Sequence, residues 1–216
     1  QTRRFVKRLT KFSPKKAQKR GRRAQIPKSS RKCKALKAIS AENRASSGAA
    51  CHILMEMKTL VLTGGGSAGH VMPCLALLPA LREKYSLAYI GTDGIERGLL
   101  QGAGVPYYTI GCPKLVRGSL LRNVTLPCRF VSAVRQAKRA LRDAHADAVF
   151  CAGGYVSLPV ACAAHRLGIP AVSHESDSTP GLANRLIARH AARMTASFAC
   201  AAEKLRGGVC TGAPLR

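Results

Sequence analysis

From residue 57 onward, short apolar runs that suit β-strands alternate with longer segments of helical periodicity. Strands are predicted at residues 59–63, 86–90, 107–110, 148–151, 171–174, 194–197 and 209–211. Helices are predicted between them at 72–84, 94–101, about 130–144, 157–167, 181–192 and 200–206. This alternation is typical of an α/β, Rossmann-like fold, in which helices cover both faces of a parallel sheet. Ligands of such sheets bind outside the carboxyl ends of the strands.

The first predicted strand runs directly into a glycine-rich turn that ends in a histidine. This turn reads TGGGSAGHVMP over residues 63–73. The first turn of a helix has unpaired N–H groups and a partial positive charge, and glycines let a diphosphate approach them closely. The turn is therefore predicted to bind an anion, with His70 beside it.

On its own, this glycine pattern leaves two other interpretations open. Gly64, Gly66 and Gly69 satisfy the G-x-G-x-x-G pattern of nicotinamide and flavin sites. Asp93 is the candidate for the ribose-binding carboxylate, about 20 residues further on. The turn is also compatible with a purely structural connection in an α/β domain.

Two further turns of unusual composition follow predicted strands. The second turn, CAGGYVSLP at residues 151–159, again places glycines between a strand and a helix. Two such turns at neighbouring strand ends would be able to hold one extended diphosphate between two helix N-termini. The third turn, SHESDSTPG at residues 173–181, places polar and acidic groups directly after an apolar strand. It serves either as a helix cap or as part of a site.

The first 56 residues differ in kind from the rest of the chain. Residues 1–50 hold 17 of the 36 Lys and Arg residues but one acid, Glu42, and the whole chain of 216 residues carries a net charge of +26. This segment has no apolar period, so residues 1–56 are predicted to be a disordered or non-native extension, and residues 57–216 the folded domain. The alternatives are a basic arm that binds nucleic acid or membrane and an organelle transit peptide. The nine cysteines include no C-x-x-C pair, and no metal site is predicted.

Four motifs together resemble a known family. GGGSAGHVMP, AGGYVSLPV, GIPAVSHESDSTPGLANRL and the closing TGAPLR are similar, in order and spacing, to the amino-terminal half of the MurG glycosyltransferases. The resemblance covers residues 57–216. It implies the amino-terminal, acceptor-binding domain of a GT-B enzyme that transfers N-acetylglucosamine from UDP-N-acetylglucosamine to undecaprenyl-pyrophosphoryl-N-acetylmuramoyl-pentapeptide in peptidoglycan synthesis. It implies no cofactor, and a fragment without the donor domain is expected to be inactive alone.

The resemblance also implies roles for individual residues. His70 is the catalytic candidate, as a base or as an orienting group. The residues expected to contact UDP-N-acetylglucosamine are Ser67, Ala68, Gly69, Asp177 and Arg216. Those expected to face the acceptor pyrophosphate are Gly65, Gly66, Gly153, Gly154 and Tyr155, and His174 and Glu175 are further candidates. Two positions depart from the family pattern, since Asp177 and Ala213 stand where many members have Asn.

An acid-free stretch at residues 115–131 interleaves apolar side chains with arginines. Its candidate membrane-binding residues are Leu120, Leu121, Arg117, Arg122 and Arg129. Such a segment is able to bury apolar groups among lipid headgroups while its arginines meet anionic lipid. An ordinary amphipathic helix packed on the sheet is the alternative. With the resemblance, this predicts a peripheral protein at the cytoplasmic face of the plasma membrane. Three functions stay open: a glycosyltransferase half, an NAD(P)-linked oxidoreductase, and a basic nucleic-acid-binding protein, the last not being expected.

Overall fold

The computed structural model describes residues 57–114 and 124–214, which alternate strand and helix as predicted. The strands are β1 (Thr59–Thr63), β2 (Ser86–Gly91), β3 (Tyr107–Thr109), β4 (Ala148–Cys151), β5 (Ala171–Glu175), β6 (Arg193–Ala196) and β7 (Gly208–Cys210). The helices are α1 (Ala68–Arg82), α2 (Ile95–Leu100), α3 (Leu126–Asp143), α4 (Ser157–Leu167), α5 (Leu182–Ile187) and α6 (Ala199–Glu203).

The strands form one parallel sheet in the order β3-β2-β1-β4-β5-β6-β7. β1 lies between β2 and β4, so Leu62 is in register with Tyr89 on one side and with Phe150 on the other. The chain first builds outward from β1 through β2 to β3 and then crosses back to start β4. The point between β1 and β4, where the strand order reverses, is where an open parallel sheet forms a crevice at its carboxyl edge.

Side chains of each strand pack alternately on the two faces of the sheet. Leu60 and Leu62 of β1 pack on one face, in a cluster that includes Val71, Leu77 and Leu81 of α1. Val61 of β1 packs on the opposite face, in a cluster with side chains of α3 and α4. The two clusters confirm the predicted α/β fold with helices on both faces. They also hold α1 and α4, the helices that follow the two glycine turns, on opposite sides of the sheet.

One difference from the predicted elements concerns the start of α1, which lies four residues before its predicted position. The sequence predicts a helix from residue 72, but α1 begins at Ala68 and carries Pro73 and Pro79 inside it. Its N-cap residue, Ser67, has extended backbone angles. His70 therefore belongs to the first turn of the helix and not to the loop before it. The predicted helix at 181–192 is also shorter in the structure, because α5 ends at Ile187 and hydrogen-bonded turns follow.

Candidate functional site

The first and second glycine turns meet at the carboxyl edge of the sheet, on either side of the point where the strand order reverses. The first follows β1 and the second follows β4, which are paired neighbours. A Cβ placed on Gly154 would lie 2.2 Å from the carbonyl oxygen of Gly65, and one on Gly66 would lie 2.3 Å from the Tyr155 ring. The two turns are thus in backbone contact, at a distance that glycine permits and a side chain would not.

The ring of His70 lies against the second turn. A Cβ on Gly153 would be 3.1 Å from Nδ1 of His70, and one on Gly154 would be 3.0 Å from its Cδ2. Nδ1 is buried and has no hydrogen-bond partner among the residues that the structure describes. One ring nitrogen of His70 is therefore enclosed between the turns, and the side chain joins the start of α1 to the glycines after β4.

The first turn is anchored from beneath by side chains of β2 and α2. The buried Tyr89 hydroxyl donates a hydrogen bond of 2.8 Å to the carbonyl oxygen of Gly64. The carboxylate of Glu96, which has no exposed surface, accepts a long hydrogen bond of 3.4 Å from the N–H of Gly66. Above this support, Ser67, Ala68 and Gly69 are exposed, and the Ser67 side chain makes no capping hydrogen bond. The start of α1 is thus held in place while its exposed residues are open to a ligand.

The third turn is built around the buried carboxylate of Glu175. Glu175 accepts hydrogen bonds from the N–H groups of Asp177, at 3.1 Å, and Gly181, at 3.0 Å. Asn184 of α5 adds a third, at 2.9 Å, through its amide nitrogen. Glu175 thereby caps the turn and supports the exposed Asp177 from below. Either of the two sequence interpretations of this turn, cap or site, is compatible with that arrangement.

Asn184 connects the third turn to the second. It is 2% exposed, and its amide oxygen accepts a 3.0 Å hydrogen bond from the Ser173 hydroxyl. Its amide nitrogen lies close to the second turn, because a Cβ on Gly153 would be 3.1 Å from that nitrogen. All three turns therefore form one continuous surface at the carboxyl edge of β1, β4 and β5.

His174 is fully buried, one residue before Glu175, and is held by two hydroxyl groups. Its Nδ1 lies 3.0 Å from the Thr195 hydroxyl oxygen, and its Nε2 lies 3.1 Å from that of Ser197. The Thr195 hydroxyl donates its own hydrogen to the Ser173 carbonyl oxygen, so it accepts from Nδ1. This assigns the neutral ring with its proton on Nδ1. Burial lowers the pKa of His174 to about 4.

Lowering the pH from 7 to 4 is expected to destabilise the fold partly through His174. The unfolded chain takes up this proton near pH 6.5, whereas the folded chain takes it up near pH 4, so the stabilisation is complete above pH 6.5 and is lost as the pH falls toward 4. The contribution is about 3 kcal/mol. Urea unfolding is measured at several pH values. The free energy of unfolding should fall more steeply with decreasing pH for the unaltered chain than for His174→Gln. Parallel profiles would contradict this assignment.

The remaining predicted site residues fall in different places. Asp93, the candidate ribose carboxylate, is exposed at the end of β2 and pairs with Arg97 of α2. Arg129 is exposed in the first turns of α3. The predicted extension at residues 1–56 lies outside the described residues, as do Arg117, Leu120, Leu121, Arg122 and Arg216.

Sequence reasoning missed Tyr89, Glu96 and Asn184, which support the turns from below. Asn184 carries a usable signal, because it stands three residues before Ile187 on the apolar side of α5. Glu96 carries none, since an acid in the first turn of a helix is usually a solvated partner of the helix dipole. Within the described ranges, no group of three or more His, Cys, Asp or Glu residues is placed to hold a metal ion.

Comparison with known proteins assigns the family. Residues 60–196 match the model of the glycosyltransferase family 28 N-terminal domain. A UDP-N-acetylglucosamine--N-acetylmuramyl-(pentapeptide) pyrophosphoryl-undecaprenol N-acetylglucosamine transferase of Lachnospira eligens is 46% identical over 164 residues, which are 74% of this chain and 46% of that protein. The transferase of the same name from Clostridium kluyveri is 43% identical over the same shares. The chain thus spans about half the length of the curated relatives it matches.

Solved structures agree with this assignment. The crystal structure of Acinetobacter baumannii MurG has a TM-score of 0.62 and 29% identity, and the match covers 74% of this chain and 46% of that one. A UDP-N-acetylglucosamine 2-epimerase from Rickettsia bellii shares the fold alone, with a TM-score of 0.53 at 15% identity over 73% of this chain and 45% of that one. The resemblance inferred from the four motifs is therefore confirmed. The chain belongs to glycosyltransferase family 28 and matches its N-terminal domain, within the GT-B class of glycosyltransferases.

Proposed function

We propose that this chain is the acceptor-binding half of an enzyme that transfers N-acetylglucosamine from UDP-N-acetylglucosamine to undecaprenyl-pyrophosphoryl-N-acetylmuramoyl-pentapeptide. The observation that carries the proposal is the contact between two glycine turns at the reversal point of a family 28 domain. The relatives at 42–46% identity bear the name of this transferase. Glycine turns that meet at the ends of β1 and β4 are suited to hold a diphosphate beside the start of α1.

In this proposal, the acceptor hydroxyl attacks the anomeric carbon of the donor sugar, and UDP leaves. Positive charge develops on the sugar ring and negative charge on the leaving diphosphate. The chain positions the acceptor, and the N–H groups at the start of α1 stabilise phosphate charge. His70 removes the hydroxyl proton or orients the hydroxyl, and its enclosed Nδ1 assigns this contact to Nε2.

Other side chains have supporting parts in the proposal. Ser67, Ala68 and Gly69 contact the donor sugar from the acceptor side. Gly65, Gly66, Gly153, Gly154 and Tyr155 face the acceptor pyrophosphate. Asp177 accepts a hydrogen bond from the substrate, since a carboxylate lacks the donor that an asparagine would supply. His174 and Glu175 act from beneath the third turn, where both are buried. Arg216 is proposed to contact UDP-N-acetylglucosamine, and this role rests only on the family resemblance.

A chimera tests the proposed function directly. This chain replaces the matching 164 residues of the Lachnospira eligens transferase, and transfer of radiolabelled N-acetylglucosamine onto the lipid-linked acceptor is measured. The unaltered transferase is the positive control. Transfer that depends on both the nucleotide sugar and the lipid-linked acceptor supports the proposal. A chimera that folds, as judged by its circular dichroism and melting transition, but transfers no sugar would contradict it.

A dinucleotide-dependent oxidoreductase is the second candidate, favoured by the strand order and by the G-x-G-x-x-G spacing. Its ribose carboxylate would be Asp93, whose charge is already balanced by Arg97. We expect no calorimetric signal when NAD(H) or NADP(H) is titrated into the chain at ordinary cofactor concentrations. Binding that Asp93→Asn abolishes would favour the oxidoreductase instead. The nucleic-acid alternative depends on the basic residues 1–50, which lie outside the described part of the chain.

Attachment to the membrane surface is the third part of the proposal. No helix within residues 57–114 and 124–214 has the length and apolar character of a bilayer span. At the start of α3, Val124 is 71% exposed and Val131 is 42% exposed, and Arg129 is exposed between them. Apolar side chains and an arginine at the same exposed helix end are suited to the headgroup region of anionic lipid. This supports a peripheral protein on the cytoplasmic face of the plasma membrane.

Replacing Arg117, Arg122 and Arg129 with Gln is expected to weaken cosedimentation with anionic vesicles by roughly tenfold or more. The matched control replaces Arg135, Arg139 and Arg142 with Gln. These three residues are exposed and lie beyond Arg129 on α3, and their replacement removes the same amount of charge. Binding of the unaltered chain should also weaken as salt rises. Equal loss in the two triple variants, or equal binding to neutral and anionic vesicles, would contradict a localised patch.

A further inference from the structure

The carboxylate of Glu96 occupies a pocket that three glycines keep open beneath the first glycine turn. A Cβ on Gly65 would lie 2.6 Å from its Oε1, one on Gly94 would lie 3.0 Å from its Oε2, and one on Gly91 would lie 3.0 Å from its Cγ. Glu96 has no exposed surface. The glycines belong to the first turn, the end of β2 and the turn before α2, so the backbone from three places closes around one side chain.

Both oxygens of this carboxylate accept hydrogen bonds. Oε1 accepts from the backbone N–H of Thr92, at 2.9 Å, and from the Thr92 hydroxyl, at 2.5 Å. Oε2 accepts from the N–H of Gly66, at 3.4 Å. The Tyr107 hydroxyl donates to the Thr92 carbonyl oxygen at 2.6 Å and so fixes the turn that presents Thr92. An ionised carboxylate is an acceptor only, and charge-assisted hydrogen bonds of this kind hold a backbone more firmly than neutral ones.

Gly66, whose N–H donates to Oε2 of Glu96, lies two residues before the start of α1 and adopts a φ of +86°. The Tyr155 ring lies beside Gly66, which is otherwise exposed, and a Cβ on Gly66 would approach the ring to 2.3 Å. The first turn is therefore clamped between a carboxylate below and an aromatic ring from the second turn. The N–H of Gly66 points at Glu96, and the exposed N–H groups of the following residues are left for a ligand.

We propose that Glu96 is a positioning residue, which fixes the first glycine turn through the Gly66 N–H and thereby sets the start of α1 for an anionic ligand. The effect on sugar transfer rests on the proposed function; the anchoring of the turn does not. Glu96 does not touch the reacting atoms. It acts by holding Ser67, Ala68 and Gly69 in the geometry that contacts the donor sugar, and by fixing the N–H groups at the start of α1 that stabilise phosphate charge.

Glu96→Gln tests the anchoring in the 216-residue chain. The glutamine oxygen continues to accept from Thr92, but its NH₂ group opposes the N–H of Gly66, because two donors then face each other. Amide hydrogen exchange at Gly66, whose N–H is bonded to Glu96, is expected to accelerate roughly tenfold or more, while exchange in β4 and β5 stays unchanged. The matched control is Asp147→Asn, which alters a carboxylate that accepts from the Thr59 N–H, at 2.8 Å, at the other end of β1. Unchanged exchange at Gly66 in Glu96→Gln would overturn the proposal.

Kinetics of the chimera described above test the consequence for transfer. Glu96→Gln is expected to lower kcat at least tenfold with a smaller change in KM for the nucleotide sugar, and Asp147→Asn to leave both unchanged. Faster exchange at Gly66 with unaltered kcat would overturn the positioning role. If Glu96→Gln does not fold, Thr92→Val is used, because it removes one hydrogen bond to the carboxylate. This variant should also exchange the Gly66 amide faster and have a lower kcat, by smaller factors than those expected for Glu96→Gln. No change in either quantity would overturn the proposal. An inactive parent chimera contradicts the proposed function, whereas exchange at Gly66 still decides the anchoring.

Discussion

His70→Ala is expected to lower turnover of the chimeric transferase by roughly 10²-fold or more. The ring lies in the first turn of α1 and reaches across to Gly153 and Gly154, so its removal takes away the proposed base and the contact between the two turns. Histidine is the side chain that most often serves as a general base in enzymes. Steady-state transfer measured from pH 5.5 to 8.5 provides the test.

His70→Asn separates the two roles left open for this residue. Asparagine keeps a hydrogen-bonding group near the same position but cannot accept a proton near neutral pH. If His70 is the base, both variants lose turnover equally, and the acidic limb of the pH profile disappears. If it orients the acceptor, His70→Asn retains much of the turnover. His165→Ala, in the last turn of α4 at the opposite edge of the sheet, is the control. Unaltered turnover in His70→Ala would exclude both roles.

Gly154→Ala is expected to destabilise the domain by roughly 3 kcal/mol or more. Gly154 adopts a φ of +80°, and its added Cβ would lie 2.2 Å from the Gly65 carbonyl oxygen, which is backbone and cannot rotate away. Strain from the left-handed conformation accounts for about 1–2 kcal/mol, and the enforced separation of the two turns for the rest. The free energy of unfolding in urea measures the sum.

Gly168→Ala is the matched control for this substitution. Gly168 ends α4 with a φ of +74°, but no heavy atom lies within 4 Å of its added Cβ. It therefore reports the strain of the left-handed conformation without the collision, and about 1 kcal/mol is expected. Equal losses in the two variants would mean that the turns separate at no cost, and that their contact contributes nothing to stability.

Local sequence predicted the strands closely because most of them are buried within a parallel sheet and appear as short apolar runs. β1 and β4 have the predicted bounds, and the other strands differ by one residue at one or both ends. The predicted start of α1, at residue 72, was wrong, because the helix begins four residues earlier, at Ala68, and carries Pro73 inside it. Ser67 occupies the N-cap position without a side-chain capping hydrogen bond, so side-chain capping by Ser67 does not account for this start.

The candidate site was predictable in its turns but not in its supports. Glycines after apolar strands are visible in sequence, and the rule that parallel strands end at one edge brings them together. The burial of Glu96 and the bond from Tyr89 to Gly64 depend on packing between segments about 30 residues apart, and no local pattern encodes it. For His174 and Glu175, the sequence indicated importance, and the structure adds that both lie beneath the surface of the turn.

The pairing of β1 with β4 has a consequence for how the domain folds. Thr59 meets Asp147 across 88 residues, so the two glycine turns come into contact only after the intervening strands and helices have closed a long loop. Contacts so distant in sequence slow folding and tend to form late. A ligand that bridges both turns binds only the closed chain and therefore stabilises it by mass action. The substrate would then protect the same long-range pairing that creates its binding surface.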